Sequence, residues 1–279
     1  MSEPTHHEPA STMVRRLRRV ALPLVGLATG LAVWWLVTRV YADPADLLAR
    51  FNPTDAVASL ADLLGSGRLW PHALDSLRRL GIGLGLAAAV GVPIGLAVGL
   101  SKALQQATGP MFQLLRMISP LSWAPIALIA FGVGDHAVSF LIAVAAVWPI
   151  VLNTAAGVKA LEPGWVMVAR TLGASRVEVV WTIVLPGVRA HVLTGVRVAL
   201  GVAWIVLVPA EMLGVNSGLG YFVLDTRDRL AYDDLMATIL AIGALGYLLD
   251  SAAQRLTRRN TSKGRRPAAE ESSEVAGAR

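Results

Sequence analysis

The sequence predicts an all-α polytopic membrane protein with six transmembrane helices. Three observations predict it. Of the 279 residues 54% are hydrophobic and 16% charged, against roughly 45–50% and about 25% in soluble domains. Charge-free apolar runs of near bilayer length recur along the chain, and Lys and Arg gather in alternate connections. This balance excludes a disordered chain, a coiled coil and a disulfide scaffold. The absence of Cys removes thiol catalysis, Cys-ligated zinc and iron–sulfur clusters.

Residues 1–14 read as a disordered cytoplasmic N-terminal tail, with His6 and His7 solvated rather than metal-bound. A first transmembrane helix is expected over 15–41, its charge-free run Val20–Thr38 following Arg15, Arg16, Arg18 and Arg19. Val40-Tyr41-Ala42 resembles a signal-peptide cleavage site, but 19 uncharged residues exceed the usual h-region of about 7–15, so the segment reads as a retained anchor. Trp34, Trp35 and Tyr41 fall where an interfacial aromatic belt belongs. Residues 42–75 form an external loop punctuated by Asp43-Pro44, Asn52-Pro53 and Trp70-Pro71, with an amphipathic helix near Ala56–Leu64.

A core over 76–256 holds five more spans, on the runs Leu80–Ser101, Met117–Gly134, Ala137–Val158, Val198–Ala210 and Leu235–Leu249. Each needs about 20 residues to cross roughly 30 Å of hydrocarbon; the last is short and draws on Ala231–Asp234 by tilt or snorkelling. In the second span Gly91, Gly95 and Gly99 share one helical face, and Gly81 and Gly85 repeat the spacing. Small residues there let backbones approach closely; a pore-lining or hinge role, with Pro93 as a kink, is the rival reading. Residues 257–279 form a charged cytoplasmic tail.

With both termini cytoplasmic, 18 of the 25 Lys and Arg lie inside and 7 outside, which satisfies the positive-inside rule. The basic excess is therefore topology, not nucleic-acid binding. Arg78 and Arg79 on the outer side run against the trend and face either protein or headgroups. Arg197 and Glu211 bracket the fifth span, about 21 Å apart at 1.5 Å per residue, and read as helix ends anchored in headgroups. Asp135 and Asp250 likewise read as span ends. No charge lies in the middle of the first four spans, which argues against an ion-coupled secondary carrier.

The longest inner loop, about 159–190, carries the most specific signal. Its apolar positions are spaced helically up to Gly173, a left-handed helix stop. Ser175-Arg176-Val177-Glu178 then forms a capping box, opening a short helix expected to end at Pro186. A cytosolic helix–turn–helix with Val168, Leu172, Val177 and Val180 on its apolar positions has no lipid to bury in and wants a groove on another protein.

This loop resembles the EAA loop of permease subunits of bacterial ATP-binding-cassette importers, with the pattern E-A-A-x3-G-x9-I-x-L-P. Ala169, Gly173, Ile183, Leu185 and Pro186 match in register, while Met167 and Val168 stand where the pattern has Glu and Ala. Further likeness lies in Ser76-Leu77-Arg78-Arg79, Gly91-Val92-Pro93-Ile94-Gly95-Leu96, Leu121-Ser122-Trp123-Ala124-Pro125, Leu152-Asn153-Thr154, Thr194-Gly195-Val196-Arg197, Ala203-Trp204, Ala210-Glu211-Met212-Leu213 and Ser217-Gly218-Leu219-Gly220-Tyr221. Together these resemble the branch serving nitrate, alkanesulfonate, taurine and bicarbonate importers.

The resemblance implies a type I ABC importer permease fold in the plasma (inner) membrane, moving a small anionic solute. It implies two permease copies, cytosolic ATPase subunits docked on the loops, and an extracytoplasmic solute-binding protein. The ATPase-coupling residues would be Met167, Val168, Ala169, Leu172, Gly173, Ala174, Ser175, Glu178, Ile183, Leu185 and Pro186. This chain has no G-x4-G-K-[S/T] phosphate loop, so ATP and Mg belong to the partner; no cofactor or metal is expected here, and no catalysis. For an oxyanion, donors along the path would be Ser122, Trp123, Asn153, Thr154 and Arg197, with Trp204 beside them. Glu211 would repel an anion, which suggests a structural or gating role. The rival class is an ATP-independent secondary carrier or channel.

Overall fold

The computed structural model describes residues 10–41 and 50–263. The expected tails at 1–9 and 264–279, and residues 42–49 of the expected external loop, lie outside the described residues. The described chain is helical and divides into two compact units.

The first unit comprises residues 1–66 and 226–240. It contains α1 (Ala10–Leu36), a π turn (Val37–Tyr41) and α2 (Pro53–Gly65). The helix thus begins inside the stretch 1–14 expected to be disordered. Asn52 caps α2 by accepting from the Thr54 N–H at 3.2 Å, with Pro53 at the first helical position where its missing N–H costs nothing. Trp34 does not serve only as a belt residue: its indole N–H donates to the Phe51 carbonyl at 2.9 Å. Phe51 meets the Tyr232 ring edge-on at 5.4 Å, and Ser59 donates to Asp234 at 2.5 Å.

The second unit comprises residues 67–225 and 241–279. It holds α3 (Leu69–Leu100), α4 (Lys102–Met117), a 3-10 turn (Pro120–Trp123), α5 (Ala124–Phe131) and α6 (Asp135–Lys159). There follow α7 (Pro163–Thr171), α8 (Arg176–Val179), a π turn (Val180–Val184) and α9 (Leu185–Gly214). The last helices, α10 (Leu219–Asp228) and α11 (Tyr232–Lys263), run through the division between the units. Among the described residues four helical stretches are long and apolar enough to cross a membrane: Leu69–Leu100, Asp135–Lys159, Arg176–Gly214 and Tyr232–Thr257. A bent pair, Lys102–Met117 with Pro120–Phe131, makes a fifth if the two helices form one broken span.

That bent pair corrects the expected third span. Met117–Gly134 is not one helix. Instead α4 and the 120–131 segment meet at 89°. Proline is the cause: Pro120 pushes Ser119 out of helical backbone, to ψ 130°, and Pro125 starts a new helix at α5. Lys102–Arg116, expected as an inner loop, is the helix α4. Its Gln105, Gln106, Thr108 and Pro110 broke the apolar signal without breaking the helix.

The helix α6 is the centre of the unit, packed between α3 and α9, and it buries Ala137, Ile142, Ala146, Ile150 and Thr154. Close approach explains the small residues of α3. Gly83, Ala87, Gly91, Gly95 and Gly99 recur every fourth position on the buried face. A Cβ at Gly91 would meet Ile150 at 3.0 Å, and one at Gly95 would meet Thr154 at 2.6 Å. Gly81 and Gly85 lie off this stripe and face open space, so the repeat belongs to 83–99. The packing reading of the glycines therefore fits this face, and α3 passes through Pro93 as one helix.

Candidate functional site

Two features of the second unit stand out, one at each end of α9. The first is a buried ion cluster at the Asp135 end of α6. Arg79 of α3 donates from Nε to Asp135 at 2.7 Å, and from Nη1 to Glu211 at 2.8 Å. It also donates to the Ser217 carbonyl at 2.8 Å and to Ser217 Oγ at 2.6 Å. Glu211 of α9 is 0% exposed and accepts from Ser76 Oγ at 2.8 Å and from the Gly220 N–H at 2.9 Å. Ser76 Oγ in turn accepts from the Leu219 N–H at 2.8 Å. The first N–H groups of α10, which have no partner within the helix, are thus turned onto this carboxylate and its serine.

The turn leading into α10 is shaped for this contact. Gly218 adopts φ +101°, and a Cβ there or at Gly220 would run into the Glu211 side chain. Its N–H donates to His72 Nδ1 at 3.2 Å, and the His72 ring stacks on Phe222 at 4.7 Å. Each nitrogen of Arg79 and each carboxylate oxygen of Glu211 has a partner, the condition under which a buried ion pair can be tolerated. Removing one partner of such a pair costs about 3–5 kcal/mol. The cluster ties α3, α6, α9 and α10 together. It corrects the expectation that Glu211 is a headgroup anchor and resolves the choice for the two arginines: Arg79 faces protein, while the Arg78 side chain stays 67% exposed.

The second feature is the segment from Pro163 to Leu185. Helix α7 ends in a Schellman motif: the Gly173 N–H bonds Arg170 O and the Ala174 N–H bonds Ala169 O, each at 3.0 Å. Gly173 has φ +86°, a conformation that costs an L side chain roughly 1–2 kcal/mol. The capping box forms as the sequence indicates: the Ser175 N–H donates to Glu178 at 2.7 Å and the Glu178 N–H to Ser175 Oγ at 3.3 Å. Pro186 does not stop the following helix. The π turn feeds straight into α9, with Pro186 in its first turn where proline is tolerated. The second arm of the hairpin is therefore continuous with the span Arg176–Gly214.

Under the hairpin, Val179, Val184 and Val188 are buried against Leu161, Ala169 and Ala174, with Leu96 of α3 and Val158 of α6. Ile183 and Leu185 are half-buried. Its other side is apolar and exposed: Leu172 is 82% and Met167 68% accessible, with Val168, Val177 and Trp181 beside them.

Residues 82–262 match the family described as binding-protein-dependent transport system inner membrane component. The chain belongs to that family. It is a permease, the membrane subunit of an ABC importer, and not its ATPase. It is 35% identical over 247 residues to the taurine transport system permease protein TauC of Escherichia coli K12, covering 88% of this chain and 90% of TauC. It is likewise 35% identical over 253 residues to the bicarbonate transport system permease protein CmpB of Synechococcus elongatus, covering 88% and 90%. Its fold resembles a chain of a bacterial ABC transporter involved in the import of the acidic polysaccharide alginate, with a TM-score of 0.56 and 14% identity. That match covers 89% of this permease and 99% of the other chain.

The residues suggested for the solute path sit in different settings in this permease. Ser122 is exposed and Trp123 half-buried, both on the 3-10 turn. Asn153 donates to the Pro149 carbonyl at 2.8 Å, and Thr154 is fully buried against Gly95. Trp204 packs over Gly246 of α11. Arg197 lies within α9, not at its end, and pairs with Asp250 at 3.2 Å; Asp250 lies within α11, not at a span end. Sequence reasoning missed Arg79 and Ser76 as partners of Glu211, and Ser217 as a partner of Arg79. The adjacent Arg78 and Arg79 and a Glu on the same side of otherwise apolar spans were the available signal, since such charges pair.

Proposed function

We propose that this permease imports a small oxyanion, of the nitrate, alkanesulfonate, taurine or bicarbonate type, across the plasma membrane. Two copies enclose the path, an extracytoplasmic binding protein delivers the solute, and a separate cytosolic ATPase binds ATP and Mg. Six spans carry the chain: α1, α3, the broken α4–α5 segment, α6, α9 and α11. Both termini and the Lys159 end of α6 are cytoplasmic. The single core comprises 76–256, between the first helix over 15–41 with its external loop and the tail from 257.

The observation that carries this reading is the exposed apolar face of the Pro163–Leu185 hairpin, fastened from beneath and continuous with α9. A surface of Met167, Val168, Leu172 and Val177 in water is costly unless a partner covers it. A helix packed at its base transmits displacement as a rigid body, so closure of the ATPase would move α9 directly. Ala169, Gly173, Ala174, Ser175, Glu178, Ile183, Leu185 and Pro186 set the shape of that elbow. The residues at the opposite end, Arg79 and Glu211, hold the outer ends of α3, α6 and α9 as one body against which the elbow pulls.

The test is Leu172→Asp in the full chain, co-expressed with its ATPase. The permease is expected to insert and remain as heat-stable as the parent while the ATPase no longer co-purifies and uptake is lost. Co-purification and uptake at parental levels would refute the docking role.

A further inference from the structure

One cation outside the ion pairs above faces a cavity. Arg116, in the last turn of α4, makes no hydrogen bond or ion pair among the described residues. It lines a cavity of about 260 Å³ between α3, α4 and α6 with Gln105, Thr108, Gln113, Trp148 and Lys159. The direction of α4 shows how deep this cation lies. The end of α3 packs beside the end of α6, Gly99 against Val158, so α4 sets out from Lys102 near the Lys159 end. By Phe112 it has reached the Trp148 ring, 5.5 Å away. Trp148 precedes Lys159 by 11 residues, about 16 Å of helix rise. Arg116 follows Phe112 by a further turn.

The cavity is thus a groove along α4 and α6 with Lys159 at its cytoplasmic mouth, two amides and a hydroxyl along it, and a guanidinium at depth. An uncompensated arginine well inside a spanning segment is costly and marks an ion or substrate route. The Thr108 hydroxyl is spent on the Leu104 carbonyl at 2.8 Å, so the free donors are the guanidinium and the two amides, a set that recognises oxyanions. Another cavity, about 400 Å³ between Ile82 and Phe140, has His136 and Ser139 as its polar side chains and no carboxylate, lysine or arginine; it offers nothing to hold an anion.

We propose that the α4–α6 groove is an oxyanion-binding site on the inner half of the path, with Arg116 as the principal ligand and Lys159 as the attractor at its mouth. This rests on the importer reading above and names the residues that handle the solute, replacing Asn153 and Thr154, which are turned to packing. A phospholipid phosphate shares the chemistry, but a headgroup belongs at the interface and not at the depth of Trp148.

The chain contains no Cys, so Gln113→Cys places a unique thiol in the groove. Its alkylation rate is measured in the assembled, reconstituted transporter with nitrate, bicarbonate or taurine, with chloride as control, and in phosphatidylcholine or phosphatidylglycerol vesicles. One of the three oxyanions is expected to slow labelling, in either lipid. Adding Arg116→Gln should raise the concentration needed by roughly tenfold to a hundredfold, and Arg116→Lys should recover part of the protection. Protection that follows phosphatidylglycerol instead of the oxyanion, or that survives Arg116→Gln, overturns the proposal. If the transporter takes up one of these anions with unchanged KM in Arg116→Gln, the groove assignment falls and the importer reading stands. If the parent transporter takes up none of them, the substrate reading itself falls.

Discussion

The two ends of α9 are built on opposite principles. At one end Glu211 has no accessible surface and every polar atom around it is paired, with Arg79, Ser76, Ser217 and two N–H groups of α10. At the other end the hairpin is equally well defined in its backbone, by a Schellman turn and a capping box, yet it leaves Leu172 and Met167 in water. One end is closed within the chain, and the other presents its apolar side chains at the surface. A lever of the kind proposed above needs both, a fixed end that resists and a free end that can be gripped.

Substitutions at the two ends should therefore separate stability from transport. The largest loss of stability is expected at the fixed end. Glu211→Ala leaves the Arg79 guanidinium buried without its main partner and should cost about 3–5 kcal/mol, read by thermal unfolding of the purified permease. The double variant Arg79→Met with Glu211→Leu should recover much of that, since apolar replacement of a buried pair is often neutral. A Glu211→Ala permease as stable as the parent would dissolve the contrast.

At the free end the order of effects reverses. Gly173→Val forces a β-branched residue to φ +86°, with a local cost of about 1–2 kcal/mol. The spans should hold while uptake and ATPase docking fall together; normal uptake with normal docking would remove the lever from the mechanism. The smallest effect is expected midway. Arg197 and Asp250 form a partly exposed pair, so replacing both together, Arg197→Gln with Asp250→Asn, leaves no lone charge and should change stability by less than about 1 kcal/mol with uptake near the parental rate.

What was legible from the sequence follows from the range of each interaction. The hairpin was readable because its determinants are local: Gly173, Ser175 and Glu178 act within a few residues of one another. The long apolar helices were readable for the same reason. The ion cluster was not, because Ser76–Glu211 spans 135 positions and depends on the register of α3 against α9. The break at Ser119-Pro120 was hidden by the continuous apolarity of the run across it. Pro186 misled in the other direction: its ring fits the first turn of α9, so a residue that ends one helix in isolation begins another here.

The account stands on the cytoplasmic placement and partner contact of the Pro163–Leu185 hairpin. Because the chain lacks Cys, Leu172→Cys gives a single reporter at the most exposed apolar point of that elbow. In cells, a membrane-impermeant maleimide should label it only in inside-out vesicles, and co-assembled ATPase should shield it. Labelling of intact cells from outside, or labelling in inside-out vesicles that is indifferent to the ATPase, would contradict the account.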